Sequence, residues 1–136
     1  VHLRWRYIAL VFIGGALGTA VRFLVSAVVP PVAGLPVATF CINVGGAFLL
    51  GILLEALALR GSDEGMRRDL RLFIGTGILG GFTTYSAFAV DADGLIVAQN
   101  VGASILYAVA TIVVGALASV AGIALAARSG RAGAGR

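Results

Sequence analysis

The sequence has no lysine, one histidine, one cysteine and only six carboxylates. A lone cysteine forms no disulfide within the chain, and Cys41 falls inside an apolar run, where it reads as a small buried hydrophobe. The single histidine, His2, stands in the N-terminal tail, and there is no cysteine pair, HExxH segment or Walker loop. With these constellations missing, metal or thiol chemistry and nucleotide binding are not expected, and the chain is not expected to be an enzyme. Charge is scarce too, at 12% of residues against about a quarter in soluble domains. The ten arginines sit almost wholly in loops and tails, a distribution that marks membrane topology and not nucleic-acid binding.

What the chain does contain is apolar: 60% hydrophobic residues and a mean hydropathy of +1.04. Runs of about 20 such residues are long enough to cross a bilayer as helices. Four occur, at about 7–29, 37–59, 72–97 and 101–127. The fold class expected is an all-α membrane protein, a single four-span domain over residues 1–136. The first run is too long for a signal peptide and lacks a small-x-small cleavage site, so it is read as a retained helix. The tail 128–136, rich in glycine and arginine, is expected to be disordered.

The third run carries the irregularity around which the others are organised. Between Gly75 and Phe88 it holds Gly75, Gly77, Gly80 and Gly81, each weakening a helix by about 1 kcal/mol relative to alanine. Phe82, Thr83 and Thr84, indifferent to helix or leaning to strand, follow directly. A third helix broken near its middle is therefore expected, set against a glycine-rich packing face that stays helical. Open backbone at membrane depth is tolerated where protein buries it or where it lines a cavity or ion site.

Polar residues elsewhere are few and periodic. Thr39, Asn43 and Gly46 share a face of the second span, and Ser104, Tyr107, Thr111 and Gly115 share one on the fourth. Asn43 is either interhelical glue or a pore-lining group. Arg22, about two turns from the far end of the first span, either snorkels to the interface or faces a polar vestibule. Thr39, Asn43, Ser104, Tyr107 and Thr111 all donate hydrogen bonds, and Tyr85 and Phe88 follow the break. Ring edges are positive, so aromatics and neutral donors together suit a small hydrated anion without trapping it. Packing is the plainer account of the same stripe.

These segments resemble the Fluc (CrcB-type) fluoride channel family across all four spans. The matching pieces are Gly-Gly-Ala-Leu-Gly-Thr-Ala-Val-Arg22, Thr39-Phe-Cys-Ile-Asn43-Val-Gly-Gly-Ala-Phe48, Gly80-Gly-Phe-Thr-Thr-Tyr-Ser-Ala-Phe88 and Tyr107-x-x-x-Thr111. The resemblance implies a passive channel that exports cytoplasmic fluoride and lowers its toxicity, built as an antiparallel dimer with two pores and a central Na+. It implies that Gly80 and Thr83 offer backbone carbonyls to that Na+, and that Asn43, Thr39, Tyr85, Phe88, Tyr107 and Thr111 line the fluoride pore. Arg22 matches the vestibule arginine, and Asp91 falls where an acid usually follows the aromatic motif. One position departs: the family usually has phenylalanine at both aromatic positions, and residue 85 is tyrosine. Its hydroxyl either donates to fluoride or crowds the pore.

Two other readings remain open on the sequence. A proton-coupled small multidrug transporter has the same size, but it needs a carboxylate in the first span, and 7–29 has none. A non-conducting subunit would only complete a partner's pore. Arginine placement bears on that choice, because Arg4, Arg6, Arg60, Arg67, Arg68, Arg71, Arg128, Arg131 and Arg136 all fall on one side of a four-span chain. The 30–36 and 98–100 turns on the other side have none. This bias predicts cytoplasmic termini in a multi-pass protein of the cell inner (plasma) membrane. It also favours an oppositely oriented paralogue over a second identical copy as the dimer partner.

Overall fold

The computed structural model describes residues 4–134, with side chains through residue 131. His2, Arg136 and the end of the tail lie outside the described residues. The elements are all helical: α1 (Trp5–Val28), α2 (Val37–Ala58), α3 (Gly65–Leu70), a π-helical segment (Arg71–Leu79), α4 (Gly80–Phe82), α5 (Tyr85–Val97) and α6 (Val101–Ala134). Four stretches are long and apolar enough to cross a membrane, with α3 to α5 together forming the third. The fourth helix outruns expectation, because residues 128–134 continue α6 where the composition suggests disorder.

Burial runs opposite to that of a water-soluble bundle. Phe12 and Phe23 are 75% and 71% exposed, whereas Thr39, Thr84, Ser104 and Thr111 are buried. A helix bundle solvated by lipid needs no apolar core and gathers its polar groups inward. Cys41 corrects the sequence reading, since it is exposed on the outer side of α2 and not buried.

Two helix pairs make the bundle: α1 against the π-helical segment and α4, and α2 against α6. Glycine sets the first seam. A Cβ on Gly77 would lie 2.9 Å from the Gly14 Cα, so only hydrogen at both positions lets these backbones meet. The second seam is similar, with Gly51 against the Ser119 carbonyl and Gly122 against that of Phe48. In lipid such close approach replaces the hydrophobic drive available in water.

The glycines of the third span remain helical, and two of them, Gly77 and Gly81, serve packing against α1. The Gly80 N–H donates to the Gly75 carbonyl, five residues back, and the segment is wound wide. The break falls further on, at Thr83 and Thr84, whose ψ angles of 156° and 124° are extended. No solvent rescues unpaired peptide groups in lipid, so the helix keeps its bonds until another element can take them over. The Thr84 hydroxyl then restarts the chain as the N-cap of α5, accepting from the Ala87 N–H at 3.1 Å.

The arginine-rich residues share one end of the bundle. Arg6 pairs with Asp69, bringing the start of α1 beside the start of the third span. Leu59 touches Gly130, which places the end of α2 beside the end of α6. The loop between them is tied by Arg71, whose Nε and Nη2 reach the two Asp63 carboxylate oxygens at 2.9 and 2.8 Å. That bidentate bond, with Arg68 alongside, holds the Asp63 carboxyl below its ordinary value despite some desolvation.

Candidate functional site

A groove of about 490 Å³ opens where α2, the broken span and α6 meet, lined by Asn43, Gly80, Thr83, Tyr85, Phe88 and Thr111 among others. Six of the residues singled out from sequence are thus brought to one surface. Arg22 is not among them: it is half-buried on α1, with its Nε enclosed and without a hydrogen-bond partner.

Asn43 lines the groove from α2. Its Nδ2 donates to the Thr84 carbonyl at 2.9 Å, and its Oδ1 accepts from the Thr84 N–H at 2.8 Å. The amide thereby replaces the neighbouring peptide that a regular helix would have provided at the break. One N–H of Nδ2 is left over, so the side chain is interhelical glue with a spare donor, on a residue that lines the groove. Thr84 itself was not singled out as a site residue. Its part depends on a contact 41 positions away, and no local pattern signals that.

Beyond the groove an aromatic line leads inward. Tyr85, 81% exposed, stands 6.0 Å from Phe88, and Phe88 stands 5.4 Å from the buried ring of Tyr107. The Tyr107 hydroxyl lies beside Thr39 and Asp91 but is enclosed without a well-formed hydrogen bond, as is Asp91 Oδ2. The donors named from sequence are not equivalent here. The Thr111 hydroxyl gives its hydrogen to the Tyr107 carbonyl at 2.7 Å, and that of Ser104 goes to the Ala92 carbonyl at 2.8 Å. Both are committed, whereas among the described residues the Tyr107 hydroxyl has no partner and one N–H of Asn43 is left over.

The break also exposes acceptors. Among the described residues no amide beyond it donates to the carbonyls of Gly80 or Thr83. The Thr83 amide and hydroxyl both turn back to the Leu79 carbonyl, at 2.9 Å each. No cluster of His, Cys, Asp or Glu suited to a metal ion occurs among the described residues. A cation here would be held by backbone oxygens alone, which suits a hard monovalent ion, and the residues present fit one.

Fold and site together define a small four-span membrane protein whose polar groups converge on a broken helix. The chain belongs to the CrcB-like family (CrcB-like protein, Camphor Resistance), whose model matches residues 9–123. It is 70% identical over 130 residues to a protein of Leifsonia xyli named fluoride-specific ion channel FluC 2, covering 96% of this chain and 90% of that one. It is 46% identical over 111 residues to fluoride-specific ion channel FluC 1 of Cutibacterium acnes, covering 81% and 78%. A third relative, fluoride-specific ion channel FluC of Agrobacterium fabrum, is 42% identical over 120 residues, covering 87% and 94%.

Proposed function

We propose that the protein is a fluoride-specific ion channel that lets the ion leak passively across the membrane. The observation that carries this reading is the meeting of Asn43, Tyr85 and Phe88 at one groove beside a broken helix, in a chain so similar to proteins named for that activity. The positive ring edges of Tyr85 and Phe88 would face the dehydrating ion, with the spare Asn43 N–H and the Tyr107 hydroxyl as donors. None of these groups carries a formal positive charge, so the ion is bound weakly enough to leave. Thr39 lies beside the Tyr107 hydroxyl and would extend the line. Thr111 would contribute only its oxygen and its position. Arg22 would act at a distance, by charge at a vestibule. A multidrug transporter is not favoured, because α1 contains no carboxylate.

The groove is open on the outside of the single chain, and an antiparallel partner would close it. At that junction the Gly80 and Thr83 carbonyls of each subunit would meet around a Na+, which supplies the charge that four converging carbonyl dipoles require. The shared arginine end favours insertion in one orientation, with termini in the cytoplasm and the protein in the cell inner membrane. An oppositely oriented paralogue then suits the partner position better than an identical copy.

Fluoride efflux from liposomes carrying the purified chain tests the reading. Fast efflux uncoupled from protons is expected, from the chain alone or once its partner is added. A proton-coupled flux, or no flux with any related partner, would refute it.

A further inference from the structure

We propose that a second furrow, between α2 and α6 at the arginine-rich end, binds an anionic phospholipid of the surrounding bilayer. The furrow encloses about 750 Å³. Its walls are Ile52, Ala56, Leu59, Leu125 and Ala126, and Arg60 and Arg131 stand at its mouth. The shape follows from unequal helix lengths. α2 ends at Ala58, while α6 passes Leu59 at Gly130 and runs on to Ala134, so the overhang carries Arg131 past the end of its neighbour.

Among the described residues no side-chain carboxylate compensates the charge at this mouth. None lies within ion-pair reach of Arg60 or Arg131, while Asp63 pairs with Arg68 and Arg71 and Asp69 pairs with Arg6. Arg60 is anchored by one bond, from its Nη1 to the Ala56 carbonyl at 3.2 Å. That leaves most of its guanidinium donors free for a phosphate, which such a fork meets in a bidentate way. Ser129 adds no donor, because its hydroxyl already gives its hydrogen to the Leu125 carbonyl at 3.1 Å. Two cations above an apolar furrow match a phosphate headgroup above an acyl chain. Basic pockets between membrane helices take anionic headgroups in this way. Free phosphate would use the arginines and leave the five apolar residues without a role. The proposal does not depend on which ion the protein conducts.

The test is native mass spectrometry of the full chain in detergent, titrated with phosphatidylglycerol or with phosphatidylcholine of the same acyl chains. The protein is expected to retain phosphatidylglycerol preferentially. Arg60→Gln combined with Arg131→Gln is expected to reduce that preference about thirtyfold, the effect of two interfacial arginines. Arg60→Lys with Arg131→Lys should keep most of it. Arg4→Gln with Arg67→Gln, which removes the same charge elsewhere at this end, should leave it unchanged. Equal retention of both lipids by the unmodified protein would overturn the proposal without recourse to any variant. So would an equal loss in the Arg4 and Arg67 control, or displacement of the lipid by inorganic phosphate at matched concentration.

Discussion

The side-chain amide of Asn43 closes two hydrogen bonds on the backbone of Thr84, one in each direction, and so stands in for the peptide group missing at the helix break. Both ends of the amide serve this interhelical contact, and one N–H of Nδ2 is left over. This relationship decides how a substitution there should behave.

Asn43→Ala is expected to lower stability as well as flux. It strands one N–H and one carbonyl in a part-buried site, and each orphan costs about 1–3 kcal/mol. Thermal unfolding in detergent should shift down by several degrees, and fluoride efflux should fall at least tenfold. A variant with unchanged unfolding would show that the two bonds do not support the break.

Tyr85→Phe keeps the ring edges and removes a hydroxyl that is 81% exposed with its residue. The fold should be unaffected. Efflux is expected to equal or exceed that of the unmodified protein, if the hydroxyl only occupies space in the groove. A collapse of efflux in liposomes would instead assign the hydroxyl as a donor to the ion.

Glycine substitutions should divide by location. Gly77→Ala places a methyl 2.9 Å from the Gly14 Cα and should reduce the yield of folded protein, at a cost of about 1–3 kcal/mol for overpacking. Gly80→Ala meets nothing nearer than 3.9 Å within the chain and should fold normally. Loss of Na+-dependent assembly in that variant, read by size-exclusion chromatography in Na+ against N-methylglucamine, would therefore report on the cation and its interface. Normal assembly and conduction in either salt would count against a cation held by these carbonyls.

Acid should loosen the 60–71 loop before the bundle. Arg71 lowers the Asp63 carboxyl below its ordinary 3.8, so the ordering it provides is complete above that pH. It is lost as the pH falls through the lower folded value. Amide exchange across the loop should quicken there, and Asp63→Asn should show the quick rate at neutral pH. A loop that exchanges identically in both proteins would mean the ion pair does not order it.

Topology can be read with C-terminal reporters active on one side only. The shared arginine end predicts signal from the cytoplasmic reporter alone. Comparable signal from both, with efflux from the chain expressed by itself, would support a homodimer over a paired paralogue.

Hydropathy alone determined the four spans, because any segment of about 20 apolar residues has few stable alternatives to a membrane helix. The arginines determined which ends lie together, since charge stays out of the hydrocarbon wherever the chain turns. The family was legible as well, from motifs around Asn43 and Gly80 that survive as contiguous stretches. Other features were not local. Intrinsic propensity weakens the helix over 75–88, but Gly77 and Gly81 stay wound where α1 fits against them at a separation only hydrogen allows. Within that stretch the break falls at Thr83 and Thr84, where Asn43, 41 residues from Thr84, satisfies the open peptide group. Which hydroxyls remain free was likewise set by tertiary structure, because Thr111 and Ser104 spend theirs on carbonyls while Tyr107 is enclosed facing Asp91 and Thr39. A sequence names the donors, but only the packed backbone decides which of them still have a hydrogen to give.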